Sequence, residues 1–189
     1  MQHVAIFASG KGSNAQAIIE YFKNHPRIKV ALVVTNNPDA GVVKIAHQNK
    51  IISAIASKNF MGNEDNMNKL LGALNIDLIV LAGYLQLIPD FLIKKYQGRI
   101  VNIHPALLPK HGGKGMYGIK VHQAVLAAND TETGITIHHV TERYDEGEVI
   151  LQQKLTVAAG ETAETLAGKV LQLEHEWYPK TIEGLLEKK

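Results

Sequence analysis

Asn102 and His104 stand two residues apart in Val101-Asn102-Ile103-His104-Pro105-Ala106-Leu107-Leu108-Pro109. On a β-strand that spacing sends both side chains to one face, while Val101 and Ile103 take the other. An amide donor beside an imidazole is suited to stabilising a developing negative charge and to moving protons. Pro105 favours ending the strand, which puts the pair at the carboxyl end of a strand, where open parallel sheets bind ligands. A carboxylate would complete the group. Asp145 lies in the polar loop Glu142-Arg143-Tyr144-Asp145-Glu146-Gly147, where composition alone reads it as a turn residue. Placed beside His104, it would raise the imidazole pKa and let the ring act as an acid at neutral pH.

A second group is Ala8-Ser9-Gly10-Lys11-Gly12-Ser13-Asn14-Ala15, a glycine-rich turn between an apolar run and a helical segment. Gly10 and Gly12 permit close backbone approach, and the free N–H groups of a helix start attract a phosphate onto Lys11, Gly12, Ser13 and Asn14. The turn is not a Walker A loop, because its lysine lies between the two glycines. It does fit Gly-x-Gly-x-x-Ala, so an NAD-dependent oxidoreductase is one alternative. Val33-Val34-Thr35-Asn36-Asn37 argues against that, since it offers no Asp or Glu for a ribose. A catalytically inert phosphometabolite-binding protein is another alternative.

Other chemistries are excluded or disfavoured. There are no cysteines, hence no disulfide, thiolate metal site or thiol nucleophile. His138 and His139 are adjacent on an expected strand and face opposite sides, so they do not share a metal, and no metal site is expected. No Gly-x-Ser-x-Gly elbow is present. Lysines and arginines are scattered among acids at a net charge of +2, which argues against nucleic acid as a partner. No apolar run is long enough for a membrane span or a signal peptide, which places the chain in the cytoplasm.

The elements that must carry these groups alternate. Short apolar runs at His3 to Ala8, Lys29 to Val34, Ile51 to Ala56, Leu78 to Ala82 and Ile100 to Ile103 read as strands, with helices between them such as Asn14 to Lys23 and Asn63 to Leu74. This order implies an α/β fold: a doubly wound, mostly parallel sheet with helices on both faces. A glycine-rich loop leads to a helix near Ile119 to Ala127. Gly134 to Val140 and Glu148 to Val157 are too close for a crossover and are expected to pair antiparallel. The last helix is expected from about Glu161 to Glu176, ending before Pro179. With 189 residues and 46% hydrophobic content, one domain is expected, with a phosphate-binding half over about 1–100 and a catalytic half over about 101–189.

Four segments carry a family resemblance over nearly the whole chain: Gly10-Lys11-Gly12-Ser13-Asn14, Leu81-Ala82-Gly83-Tyr84-Leu85, Asn102-Ile103-His104-Pro105 with its Leu-Leu-Pro tail, and Asp145-Glu146-Gly147. Together they resemble the phosphoribosylglycinamide formyltransferases, within the folate-dependent formyltransferase superfamily. The resemblance implies transfer of a formyl group from 10-formyltetrahydrofolate to the amine of glycinamide ribonucleotide, in purine biosynthesis. It implies Asn102 and protonated His104 as donors to a tetrahedral oxyanion, with Asp145 holding the His104 charge and helping to move protons. It places the substrate phosphate on Lys11 to Asn14 with Gly10 nearby, and a substrate contact at Glu174, otherwise read as helix-surface charge. Folate would lie against Tyr84, Leu85, Gln86, Leu87 and Ile88, with Asn102 and the loop of Val140, Thr141, Glu142 and Asp145. Gln86 stands where some relatives carry Arg. The Lys110 to Lys120 loop is longer and richer in glycine than in some relatives, with His111 and His122 unassigned. A monomer or weak homodimer is expected.

Overall fold

The computed structural model describes residues 1–187. Its elements run β1 (Gln2–Phe7), α1 (Ser13–Phe22), β2 (Ile28–Thr35), α2 (Gly41–Gln48), β3 (Ile52–Ile55), α3 (Lys58–Met61), α4 (Glu64–Ala73), β4 (Ile76–Leu81), α5 (Asp90–Lys95), β5 (Ile100–His104), α6 (Ile119–Ala127), β6 (Glu132–His139), β7 (Val149–Thr156) and α7 (Ala163–Glu187). The strands form one sheet in the order β3-β2-β1-β4-β5-β6-β7. The first five are parallel neighbours, and β6 and β7 extend the sheet antiparallel, as the short spacing between them required.

The central strands are apolar on both faces because both faces are covered. Val4 and Ile6 of β1 pack with Ile18 and Phe22 of α1 and with Tyr178 and Ile182 of α7. Ala5 and Phe7 face the other way, toward Met67 and Leu71 of α4 and Leu92 of α5. Strand order reverses between β1 and β4, so the loops that leave their carboxyl ends part and open a crevice beside β5. No helix among the described residues is long and apolar enough to cross a membrane.

Two features differ in detail from the sequence-based expectation. The alternation implies helices between the strands but sets no bounds for α2, α3 and α5; they run 8, 4 and 6 residues, too short for a clear helical period. The last helix does not stop before Pro179 but continues through it to Glu187. A proline inside a helix costs about 3 kcal/mol. Beyond it Ile182 and Leu186 are fully buried against the core, and each contributes about 1.5–3 kcal/mol, enough to carry the helix across the break.

Candidate active site

A cleft of about 720 Å³ opens at the carboxyl ends of β4 and β5, within the size range of small-molecule sites. Asn102 and His104 project into it from one face of β5, and Asp145 reaches it from the loop between β6 and β7. His104 Nδ1 lies 3.5 Å from Asp145 Oδ2. Asn102 Nδ2 is 3.4 Å from Asp145 Oδ1. The pair on β5 and the loop carboxylate, which the sequence singled out separately, therefore share one wall.

A fourth member joins them. His138 of β6 pairs in register with Asn102, and its Nε2 lies 3.1 Å from Asn102 Nδ2 and 3.5 Å from Asp145 Oδ1. Its Nδ1 is 2.8 Å from the carbonyl oxygen of His139, an acceptor, so Nδ1 carries the proton. In the neutral ring Nε2 then accepts one N–H of Asn102. The second Asn102 N–H has only the long contact to Asp145 and is available to a better acceptor in the cleft. Sequence reasoning considered His138 only as a metal ligand; the available signal was that an antiparallel neighbour of the Asn102 strand presents one residue directly beside it.

Backbone geometry brings Asp145 inward. Its φ is +58, a conformation that Asp tolerates better than most residues. A β-carbon on Gly147 would overlap the carbonyl oxygen of His139, so this turn can close onto β6 only with glycine there. Gly113 N–H donates to Asp145 Oδ2 at 2.9 Å, which ties the glycine-rich loop to the same carboxylate.

The electrostatics correct one expectation. His104 is 3% exposed, and burial pushes its pKa below the usual histidine value. Asp145 and the His111 carbonyl push it up, but burial outweighs them, so the free site holds His104 neutral at pH 7 instead of as a standing acid. For Asp145, burial acts upward but is outweighed by its neighbours His138 and His104 and by the Gly113 N–H, so its carboxyl lies below the usual range and is ionised.

Most of the residues expected to contact folate line the other walls. Tyr84, Leu85, Gln86, Leu87 and Ile88 line one side, Val140 and Thr141 another. Leu85 and Leu87 stand about half exposed, an apolar surface suited to a flat ring. Glu142 is exposed and does not line the cleft, because the loop turns its side chain to solvent. Ser9 bridges two of the loops, donating to Asn36 Oδ1 at 2.6 Å and accepting from Leu85 N–H at 3.0 Å. The β2 end is thus spent on loop architecture and carries no carboxylate for a dinucleotide ribose.

The glycine turn meets the cleft through Asn14, while Gly10, Lys11, Gly12 and Ser13 lie beyond its lining. Gly12 caps α1 with φ +84 and, among the described residues, no side chain caps the first turn; the first intrahelical bond is Gln16 N–H to Gly12 O. The N–H groups before Gln16 are open to an anion. Asn14 Nδ2 donates to Glu174 Oε2 at 2.8 Å. Glu174 is not surface charge: it is buried, and burial pushes its pKa up to about 7 against the lowering effect of Asn14.

Elsewhere, His25, Glu183 and Glu187 cluster where α1 meets α7. His25 Nδ1 accepts from Ile28 N–H at 3.0 Å, so Nε2 carries the proton and donates to Glu183. With both nitrogens used, the ring offers no lone pair to a metal ion.

Comparison with known proteins agrees with this geometry. The Formyl transferase family model matches residues 2–182. The chain is 40% identical to a chloroplastic phosphoribosylglycinamide formyltransferase of Arabidopsis thaliana, over 98% of this chain and 66% of that protein, just under two thirds. It is 37% identical to the phosphoribosylglycinamide formyltransferase of Bacillus subtilis, over 98% of this chain and 95% of that one. The crystal structure of a phosphoribosylglycinamide formyltransferase from Bacillus halodurans matches with a TM-score of 0.88 at 38% identity, covering 99% of this chain and 96% of that chain. Near-complete coverage at these identities leaves a single assignment: this chain belongs to the formyl transferase family.

Proposed function

We propose that this chain transfers the formyl group of 10-formyltetrahydrofolate to the amine of glycinamide ribonucleotide, in de novo purine biosynthesis. The observation that carries this reading is the meeting of Asn102, His104, His138 and Asp145 on one wall of a cleft whose edge, at Asn14, adjoins an uncapped helix start. The names of the relatives support the same substrates.

The substrate phosphate sits on the open N–H groups at the start of α1, where the helix dipole favours negative charge. Glu174 offers its carboxyl group to the ribose or glycinamide part. Apolar Leu85, Leu87 and Ile88 take one face of the pterin, and the backbone of the Val140 to Asp145 loop takes its polar edge. The attacking amine forms a bond to the formyl carbon, and negative charge develops on the formyl oxygen. The loosely held Asn102 N–H turns to that oxygen and stabilises it. Neutral His104 takes up the proton that the amine loses, and the resulting imidazolium is balanced by Asp145. As the bond from carbon to folate nitrogen breaks, that nitrogen receives the proton, and His104 returns to neutral. Every residue invoked comes from one chain, so a monomer or weak homodimer suffices.

The test is an absorbance assay of deformylated folate with glycinamide ribonucleotide as acceptor. Turnover that collapses in Asn102→Ala and His104→Ala is expected. A folded wild-type chain that produces no formylated product would overturn the substrate assignment.

A further inference from the structure

The catalytic reading leaves His111 and Asp130 without a role, yet they are joined to His104. His104 Nε2 lies 2.8 Å from the carbonyl oxygen of His111. The His111 ring in turn places Nε2 2.7 Å from Asp130 Oδ2, and Lys110 Nζ donates to Asp130 Oδ1 at 2.8 Å. Both His111 and Asp130 are largely shielded from solvent. Asp130 is itself fixed, since its N–H donates to Val125 O at the end of α6.

Two features make this link more than a surface ion pair. A carbonyl only accepts, so His104 Nε2 must carry a proton in both charge states, and Nδ1, the nitrogen toward Asp145, is the one that gains and loses it. Without that carbonyl the neutral ring could carry its proton on Nδ1, bonded to Asp145, and could not accept another there. The carbonyl also sits in a segment with little stiffness of its own. His111 has φ +56, unfavourable for a residue with a β-carbon, and Gly112, Gly113 and Gly115 follow it. Something must hold the carbonyl in place, and among the described residues the His111 side chain is anchored by Asp130.

We propose that His111 and Asp130 are positioning residues: the Asp130 carboxylate holds the His111 ring so that the His111 carbonyl selects the tautomer in which His104 presents Nδ1 to the reactants. The kinetic part of this inference rests on the formyl-transfer reading, and the spectroscopic part does not. The experiment compares wild type with Asp130→Ala, His111→Ala, the double variant and Asp130→Asn, which keeps an acceptor for the His111 ring. Folding is checked by circular dichroism, kcat and KM by the formyl-transfer assay, and the His104 tautomer by ¹⁵N NMR of the ring.

Each alanine variant is expected to lose about 10-fold in kcat, with KM nearly unchanged, the loss typical of a supporting hydrogen-bond partner. The double variant should be no worse than either single variant, because the two act as one unit, and Asp130→Asn should recover most of the rate. Neutral His104 should carry its proton on Nε2 in wild type and become a mixture of tautomers in Asp130→Ala. Unchanged kcat and tautomer in Asp130→Ala would overturn the proposal, as would losses that multiply in the double variant. If wild type transfers no formyl group, the functional reading falls, and the tautomer comparison still decides the inference.

Discussion

Asn102 and His104 leave β5 together, and what surrounds each of them sets what it can do. Asn102 has one N–H committed to His138 and one loosely directed at Asp145, so its truncation removes the donor for the formyl oxygen and unpairs His138. Asn102→Ala is expected to lower kcat by about 10²- to 10³-fold with the fold intact; a loss below threefold would show that the oxygen is stabilised elsewhere. His104 is faced by Asp145, His111 and His138, with His122 also nearby, and burial is the largest effect on it. Because its folded pKa lies below the unfolded value, the ring stays neutral above pH 6.5, and stability is lost as the pH falls below that value through the folded pKa. NMR titration should place its midpoint below 6.5, and Asp145→Asn should lower it further. A midpoint above 6.5 would restore the standing-acid reading.

Two helices hold the ligand ends of the cleft, and each has a single residue on which its placement turns. At Gly12 a β-carbon would lie 2.9 Å from Val42 Cβ, and φ is +84, so Gly12→Ala strains both the α1 start and its contact with α2. The expected cost is about 1–3 kcal/mol, together with a raised KM for the phosphorylated substrate and a smaller effect on folate. Equal rises in both KM values would argue against a phosphate at this helix. In α7, the buried Tyr178 hydroxyl lies 2.8 Å from Leu81 O and 3.1 Å from Val101 O, at β4 and β5, pinning the helix over the strands that carry the cleft. Tyr178→Phe leaves those carbonyls short of a donor and should lower stability by about 1–2 kcal/mol in urea unfolding. An unchanged midpoint would show that packing alone seats α7.

Across the whole molecule, Glu174 couples the two ends of the chain, since its partner Asn14 lies on the first helix and Glu174 on the last. Its folded pKa, pushed up to about 7, lies above the ordinary carboxylate value, so its contribution to stability is complete below pH 4.5 and is lost as the pH rises through 7. Glu174→Gln keeps an acceptor for Asn14 without the charge. Relative to wild type it should gain up to about 3 kcal/mol of stability between pH 5 and pH 9, with all other titrating groups common to both. A difference in denaturation midpoint that does not change with pH would show that the buried carboxyl is not strained by ionisation.

The period-two spacing of Asn102 and His104, the glycine turn before α1 and the alternation of strands and helices were legible in the chain, because each depends on neighbours within a few residues. Local chemistry alone dictates which side of a strand a residue takes and where a helix can begin. The place of His138 was not legible, since it depends on how β6 registers against β5 and sets His138 beside Asn102. The electrostatics of His104 were not legible for a related reason: the sequence shows which carboxylate is available but not how much water the fold removes, and burial is the larger effect. For Glu174 the family resemblance implied a substrate contact, while the residues alone read as surface charge; its burial became visible only once α7 packed on α1, and α7 crosses Pro179 only because the core beyond it accepts Ile182 and Leu186. Desolvation and long-range pairing are properties of assembled layers, so they enter only with the tertiary structure.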